Sequence, residues 1–365
     1  MIKRWFTKEK VKITKEEIKI YKGQAIQNYK RRNLNVQKKK RADDVPPKFL
    51  FWRDWSMEFK HEPIMLNECI EYLNIKPDGI YVDGTIGGAG HSSEIIKHLS
   101  DKGLLIGIDR DEEALNASRK RLSEYSNVKY VWGRHEDIKR HVEGLGIEKI
   151  DGVLLDLGVS SYQIDEASRG FSYTKNAILD MRMNQSQELT AKDVVNTYSK
   201  EQLEKIFKEY GEEKFSRRIA EKIVEKRKES EIDTTYELAD IIRTAVSKDA
   251  IDSFKRIFQA LRIEVNGELK ELYNAIKDIS SILNDKGRIC IITFHSLEDR
   301  IVKKAFVDLE GRCTCPKDFP KCVCGYKSYG KILTKKPIIA SDEEQERNPR
   351  SKSAKLRVFE RRFSN

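Results

Sequence analysis

Tyr81-Val82-Asp83-Gly84-Thr85-Ile86-Gly87-Gly88-Ala89-Gly90-His91 is the stretch that decides the fold. It begins inside a short apolar strand, Ile80 to Asp83, and feeds a helix that starts at about Ser92. A glycine-rich turn between strand and helix lets the backbone pass close to a ligand, and the helix N-terminus behind it offers unpaired N–H groups to a carboxylate or phosphate. The Gly-x-Gly-x-x-Gly register of dinucleotide sites is absent, and Asp83 precedes the first glycine. That carboxylate would repel a pyrophosphate. It would not repel an aminoacyl sulfonium compound, which carries an ammonium group beside its carboxylate.

Outward from this turn, helix and strand alternate. A helix at Leu66 to Leu73 precedes it, and strands at Leu104 to Asp109, Val128 to Trp132 and Gly152 to Asp156 follow, with helices at Glu112 to Leu122 and through Ile138. This rhythm predicts a parallel sheet with crossover helices. The second strand ends in Ile108-Asp109-Arg110-Asp111, placing Asp109 at the carboxyl edge, where a ribose diol is captured; Asp111 reads as a helix cap. The fourth ends in Asp156-Leu157-Gly158, where amine methyltransferases commonly hold Asp or Asn, two prolines and an aromatic residue. Asp156 is either the reacting-site carboxylate or a strand-end turn former. From 165 to about 254 the chain is charged, helical in period and poor in strand signals, and the strand rhythm resumes at Gly287 to Phe294. A helical domain inserted into the second half of an α/β domain accounts for the interruption.

The 365 residues are 39% hydrophobic and 35% charged, with no apolar window long enough for a bilayer and no secretory signal pattern, so a cytoplasmic protein with no membrane anchor is expected. Residues 1–60 hold 18 Lys and Arg against 7 Asp and Glu, whereas residues 61–365 hold 52 of each sign. The whole excess of +11 therefore lies in the N-terminal extension, which reads as a partly disordered or helical arm. It is either a solvated tail or a phosphate-tracking arm whose aromatics, Phe49 to Phe59, stack on bases.

On a set of longer motifs the chain resembles the bacterial 16S rRNA (cytosine-N4) methyltransferases, from His61 to the C-terminus. The motifs are His61-Glu62-Pro63-Ile64, Asp83-Gly84-Thr85 with Gly87 to His91, Asp156 to Ser161, Arg169-Gly170-Phe171-Ser172, Leu179 to Met183, Phe294 to Arg300 and Asn348 to Ser351. The resemblance implies an α/β fold: a Rossmann-like, class I methyltransferase parallel sheet formed by 61–164 and 255–365, with 165–254 as an inserted helical substrate-recognition domain. It implies methyl transfer from S-adenosylmethionine to the N4 amine of a cytosine in the decoding region of the small-subunit rRNA. It places the cofactor against Ala89, Gly90, His91, Asp109, His135, Asp156 and Gln163, to which the turn itself adds Asp83 and Gly87. At 135 a Phe is frequent in the family, and His135 is a departure. Asp156 is the expected catalytic residue, accepting hydrogen bonds from the amine.

For the RNA, Tyr162 or Phe171 would stack on an unstacked base, or pack in the core. Arg169, Arg182 and Arg300 are expected at phosphates, Arg350 in a basic C-terminal segment that touches RNA or forms a solvated edge strand, and His295 in shaping the substrate site. Cys313, Cys315, Cys322 and Cys324 form two Cys-x-Cys pairs that either bind zinc or remain thiols, and no metal is expected in catalysis. The partner is 16S rRNA in the small subunit, with a homodimer left open. Two rival readings stand beside this one: a DNA amine methyltransferase, and an assembly factor using the fold only as an RNA platform.

Overall fold

The computed structural model describes residues 63–363, apart from 247–249, 312–314, 317–319, 321–323 and 326. The basic N-terminal extension, and Cys313 and Cys322 of the zinc option, lie outside the described residues. Strands β1 (Ile80–Asp83), β2 (Leu104–Asp109), β3 (Val128–Trp132), β4 (Ile150–Asp156) and β5 (Leu283–Thr293) are parallel, in the order β3-β2-β1-β4-β5. The apolar runs of β1, β2, β4 and the second half of β5 follow from burial on both faces, whereas β3, at the sheet edge, is partly exposed. Successive side chains point to opposite sides. Tyr81, Leu105, Leu154 and Cys290 meet Cys69, Leu73, Ile95 and Leu115, while Val82, Ile106, Val153 and Ile289 meet Val142, Ile276, Val302 and Phe306.

The chain departs from an all-parallel sheet at its C-terminal end. Strands β6 (Gly330–Ile332) and β7 (Ile338–Ile339) pair antiparallel with β8 (Lys355–Arg361), and β8 is antiparallel to β5. The expected RNA-facing or edge strand is thus an interior one, flanked by β5 and β6, with Leu356, Val358 and Phe359 buried. Its Arg357 is turned inward to Asp299, Nε to Oδ1 at 2.6 Å.

Between β4 and β5 the helices Ala191–Thr197, Lys200–Glu209, Ser216–Lys226, Thr235–Ala245 and Ala250–Asn266 enclose a separate core running from Leu179 to Val265. Three of them begin at reciprocal caps, Thr190 with Asp193, Ser199 with Gln202 and Thr234 with Glu237, which satisfy first-turn N–H groups. The last helix runs through the expected boundary at 254/255 and packs Phe254, Ile257, Leu261 and Val265 into this core, so the helical region extends to Asn266. Asn266 joins this region to the sheet edge: its Oδ1 accepts from Met183 N at 2.8 Å, and its carbonyl accepts from Arg110 Nη1 at 3.0 Å. Among the described residues no helix is long and apolar enough to cross a membrane.

Candidate functional site

Strand β1 lies between β2 and β4, so strand order reverses there and a crevice opens at the carboxyl ends, the usual ligand position in such sheets. Asp83 ends β1, buried, with Oδ2 accepting from Ser92 Oγ at 2.6 Å and Oδ1 from Thr85 N at 3.2 Å. The following turn passes through left-handed backbone at Gly87 (φ 51°) and Ala89 (φ 59°). An alanine in that region is strained by about 1 kcal/mol, the kind of cost retained at functional turns. A side chain on Gly88 would meet nothing within 4 Å, which leaves space for a ligand over the turn. Asp109 ends β2 and ties the turn down, its Oδ2 accepting from Gly87 N at 2.9 Å and its Oδ1 from Asp111 N at 2.9 Å. Each oxygen keeps a second lone pair for a diol. Asp111 is the helix cap the sequence suggested, accepting from Glu113 N at 3.1 Å.

Asp156 ends β4. Its amide donates to Thr85 Oγ1 at 2.7 Å, fixing it against the β1 turn. Oδ2 lies 3.9 Å from His91 Nδ1, and the other ring nitrogen of His91 is 2.9 Å from the Ile64 carbonyl. Oδ1 is buried with no hydrogen-bond partner among the described residues. A bare carboxylate oxygen is costly to bury, which marks it as an acceptor awaiting a donor from a ligand. Burial pushes Asp83, Asp109 and Asp156 each up to about 6, and for Asp156 the nearby Asp83 and Glu298 add to the effect while His91 opposes it. The turn, the open space and three desolvated carboxylates suit a ligand carrying ammonium and sulfonium charges and a ribose diol.

Several residues singled out in the sequence are placed differently. Gln163 is buried near the site, but its amide nitrogen donates to Asp111 Oδ2 at 2.8 Å and its oxygen caps Ser160 N. Arg169 is only 3% exposed, and its guanidinium binds Asp111, Glu113 and the carbonyls of Arg182 and Met183. Arg182 is similarly occupied with Asp180 and the Gln187 carbonyl. Neither arginine is displayed to a phosphate; both hold the start of the helical region. His295 caps helix Ser296–Glu310, its Nδ1 accepting from Glu298 N, and its Nε2 lies 3.1 Å from Glu298 Oε1. Tyr162 remains 54% exposed and available for stacking. Arg300 and Arg350 face solvent, each with one acidic partner, Glu212 and Asp165. His135 is buried behind the turn and burial pushes it down to about 4; its Nε2 has no hydrogen-bond partner among the described residues. Phe171 packs on the helical core.

Nothing in the sequence signalled the roles of Thr85 and Ser92, whereas His295-x-x-Glu298 matches the spacing of a capping box. A cleft of about 270 Å³ opens beside Asp111, Trp132 and Asn184, and another of about 330 Å³ beside Tyr210, Lys270 and Arg300. Neither is lined by Asp156.

A sheet reversing at β1, a glycine turn secured by Asp109 and a bare Asp156 oxygen at the next strand end define a Rossmann-like, S-adenosylmethionine-dependent methyltransferase. Residues 58–362 match the MraW methylase family, and the chain belongs to that family. It is 58% identical over 310 residues to the Clostridioides difficile protein named ribosomal RNA small subunit methyltransferase H, covering 84% of this chain and 100% of that one. Proteins of the same name from Clostridium botulinum and Lachnospira eligens are 59% and 55% identical, with 83% and 84% of this chain and 99% and 98% of theirs covered.

Proposed function

We propose that this enzyme methylates the N4 amine of a cytosine in the decoding region of 16S rRNA, acting on the small ribosomal subunit in the cytoplasm. The names of its relatives support the ribosomal substrate, and the bare Oδ1 of Asp156 is the observation that carries the chemistry. The groups that would hold the cofactor are the 87–91 turn, Asp83 and Asp109, with His135 behind the turn. S-adenosylmethionine, when bound, supplies an electrophilic methyl group, so the protein needs to orient the nucleophile.

A cytosine N4 lone pair is delocalised into the ring and is a weak nucleophile. Asp156 Oδ1 accepts one amine hydrogen, orients the nitrogen and draws its electron density out of the ring. Methyl transfer would break the sulfur–methyl bond, leaving a neutral thioether, and the surplus amine proton would pass to this carboxylate, whose shift to about 6 suits it to receive a proton and release it near neutrality. His91, set by the Ile64 carbonyl, stands 3.9 Å from the other oxygen. The helical region, from Leu179 to Asn266, serves as the substrate-recognition domain.

Labelled methyl transfer to small subunits, naked rRNA and DNA, followed by nucleoside analysis, tests this reading. Asp156→Ala is expected to lose about 10²- to 10³-fold in turnover while still binding the cofactor. Near wild-type turnover in that variant would remove Asp156 from the mechanism, and label in another nucleoside would replace the substrate.

A further inference from the structure

Asp156 is not the only buried group near this strand end with an unanswered hydrogen-bonding atom. Arg262, near the end of helix Ala250–Asn266, donates from Nε to Glu268 Oε1 at 3.0 Å, and its Nη2 and the second oxygen of Glu268 are both buried without a hydrogen-bond partner among the described residues. That Nη2 lies 4.0 Å from where a side chain on Gly158 would begin, and Phe294 Cδ2 lies 3.7 Å from the same point. Gly158 is two residues beyond Asp156, at most about 7 Å of chain. A glycine floor with φ +93°, a phenyl wall and a braced cation therefore gather at the loop that leaves the strand end carrying the bare carboxylate oxygen.

Burying a guanidinium N–H without an acceptor is unfavourable unless a ligand supplies one. The charge itself is answered by Glu268, buried, and by the more distant Glu298. What remains is a directional donor on a planar group fixed by its partner.

We propose that Arg262 is a substrate-positioning residue, whose Nη2 donates to the carbonyl oxygen of the target base while Asp156 accepts from its exocyclic amine. This rests on the amine-methylating function proposed above. In cytosine the amine and the carbonyl flank ring N3, so an acceptor and a donor spaced across the Gly158 floor read both groups at once. A uracil would turn a carbonyl toward Asp156 and leave that carboxylate unpaired, a mismatch that sites of this type reject strongly. Glu268 holds the guanidinium plane in line with the base.

Removing Arg262 alone strands a buried carboxylate, so the test uses the R262Q/E268Q double variant, whose amide pair carries no charge, together with R262K. Full-chain protein is assayed for S-adenosylmethionine affinity by calorimetry, for thermal midpoint, and for kcat and KM on small subunits lacking the modification. Cofactor affinity and subunit KM are expected to stay within about twofold of wild type, while kcat falls about 10- to 100-fold in the double variant and less in R262K. A kcat within threefold of wild type, a loss confined to KM, or a parallel loss of cofactor affinity or fold would each overturn the assignment. Absence of methyl transfer by the wild-type protein, with cofactor bound, would instead overturn the proposed function and this inference with it.

Discussion

Three aspartates end adjacent strands or face the same turn, and each is shifted from an ordinary value of 3.8 to about 6, chiefly by burial. For an acid raised on folding, the stabilising contribution is complete below the unfolded value and is lost as pH rises through the folded one. The ligand-free protein is therefore expected to lose stability between about pH 4 and pH 6 from these groups. A cationic ligand acts in the opposite sense, because it favours the charged carboxylates and expels their protons. Affinity for S-adenosylmethionine should rise at least about tenfold from pH 5 to pH 7.5, with proton release at the acid end. Calorimetry in buffers of different ionisation enthalpy measures both quantities, and an affinity independent of pH would disconnect these carboxylates from the cofactor.

At the scale of the element, the 84–91 turn separates two kinds of glycine. A side chain at Gly107 on β2 would overlap Ile86 of the turn, so Gly107→Ala should destabilise the fold. Gly88 faces open space, and Gly88→Ala should change stability by no more than about 0.5 kcal/mol. If that space belongs to the cofactor, the same methyl group should weaken S-adenosylmethionine binding about tenfold or more. Unaltered affinity in a folded Gly88→Ala protein would place the ligand elsewhere. This turn was legible because strand, glycines and carboxylates are contiguous, and β1 and β2 matched their expected limits because apolar runs buried on both faces are distinctive. The inner position of β8 was not legible, since a run of seven residues does not say which strands it lies between. The arginines were misread for a related reason. Arg182 has its partner two residues away at Asp180, but Arg169 meets Asp111 only through folding.

For the whole molecule, that contact is one of the links between helical region and sheet. Arg169 reaches Asp111 at 2.9 Å and Glu113 at 3.0 Å on the sheet side, and the carbonyls of Arg182 and Met183 on the other. Arg169→Ala would leave Asp111 buried without its cation and is expected to cost about 3 to 5 kcal/mol, read as a lowered thermal midpoint. An unchanged midpoint with RNA binding lost would restore a phosphate role to this arginine. Arg262 and Glu268 were invisible in the sequence because their neighbour Gly158 is more than a hundred positions away. The pairing of β4 with β5 spans a similar gap, Ile150 lying beside Leu283, 133 positions later. Closing so long a loop is entropically slow, and contacts of this separation delay folding. The helical region, having a core of its own, can collapse first and draw the two strands together. Joining β4 to β5 would then follow the collapse of those helices, and the strand end that carries Asp156 would be among the last features to form.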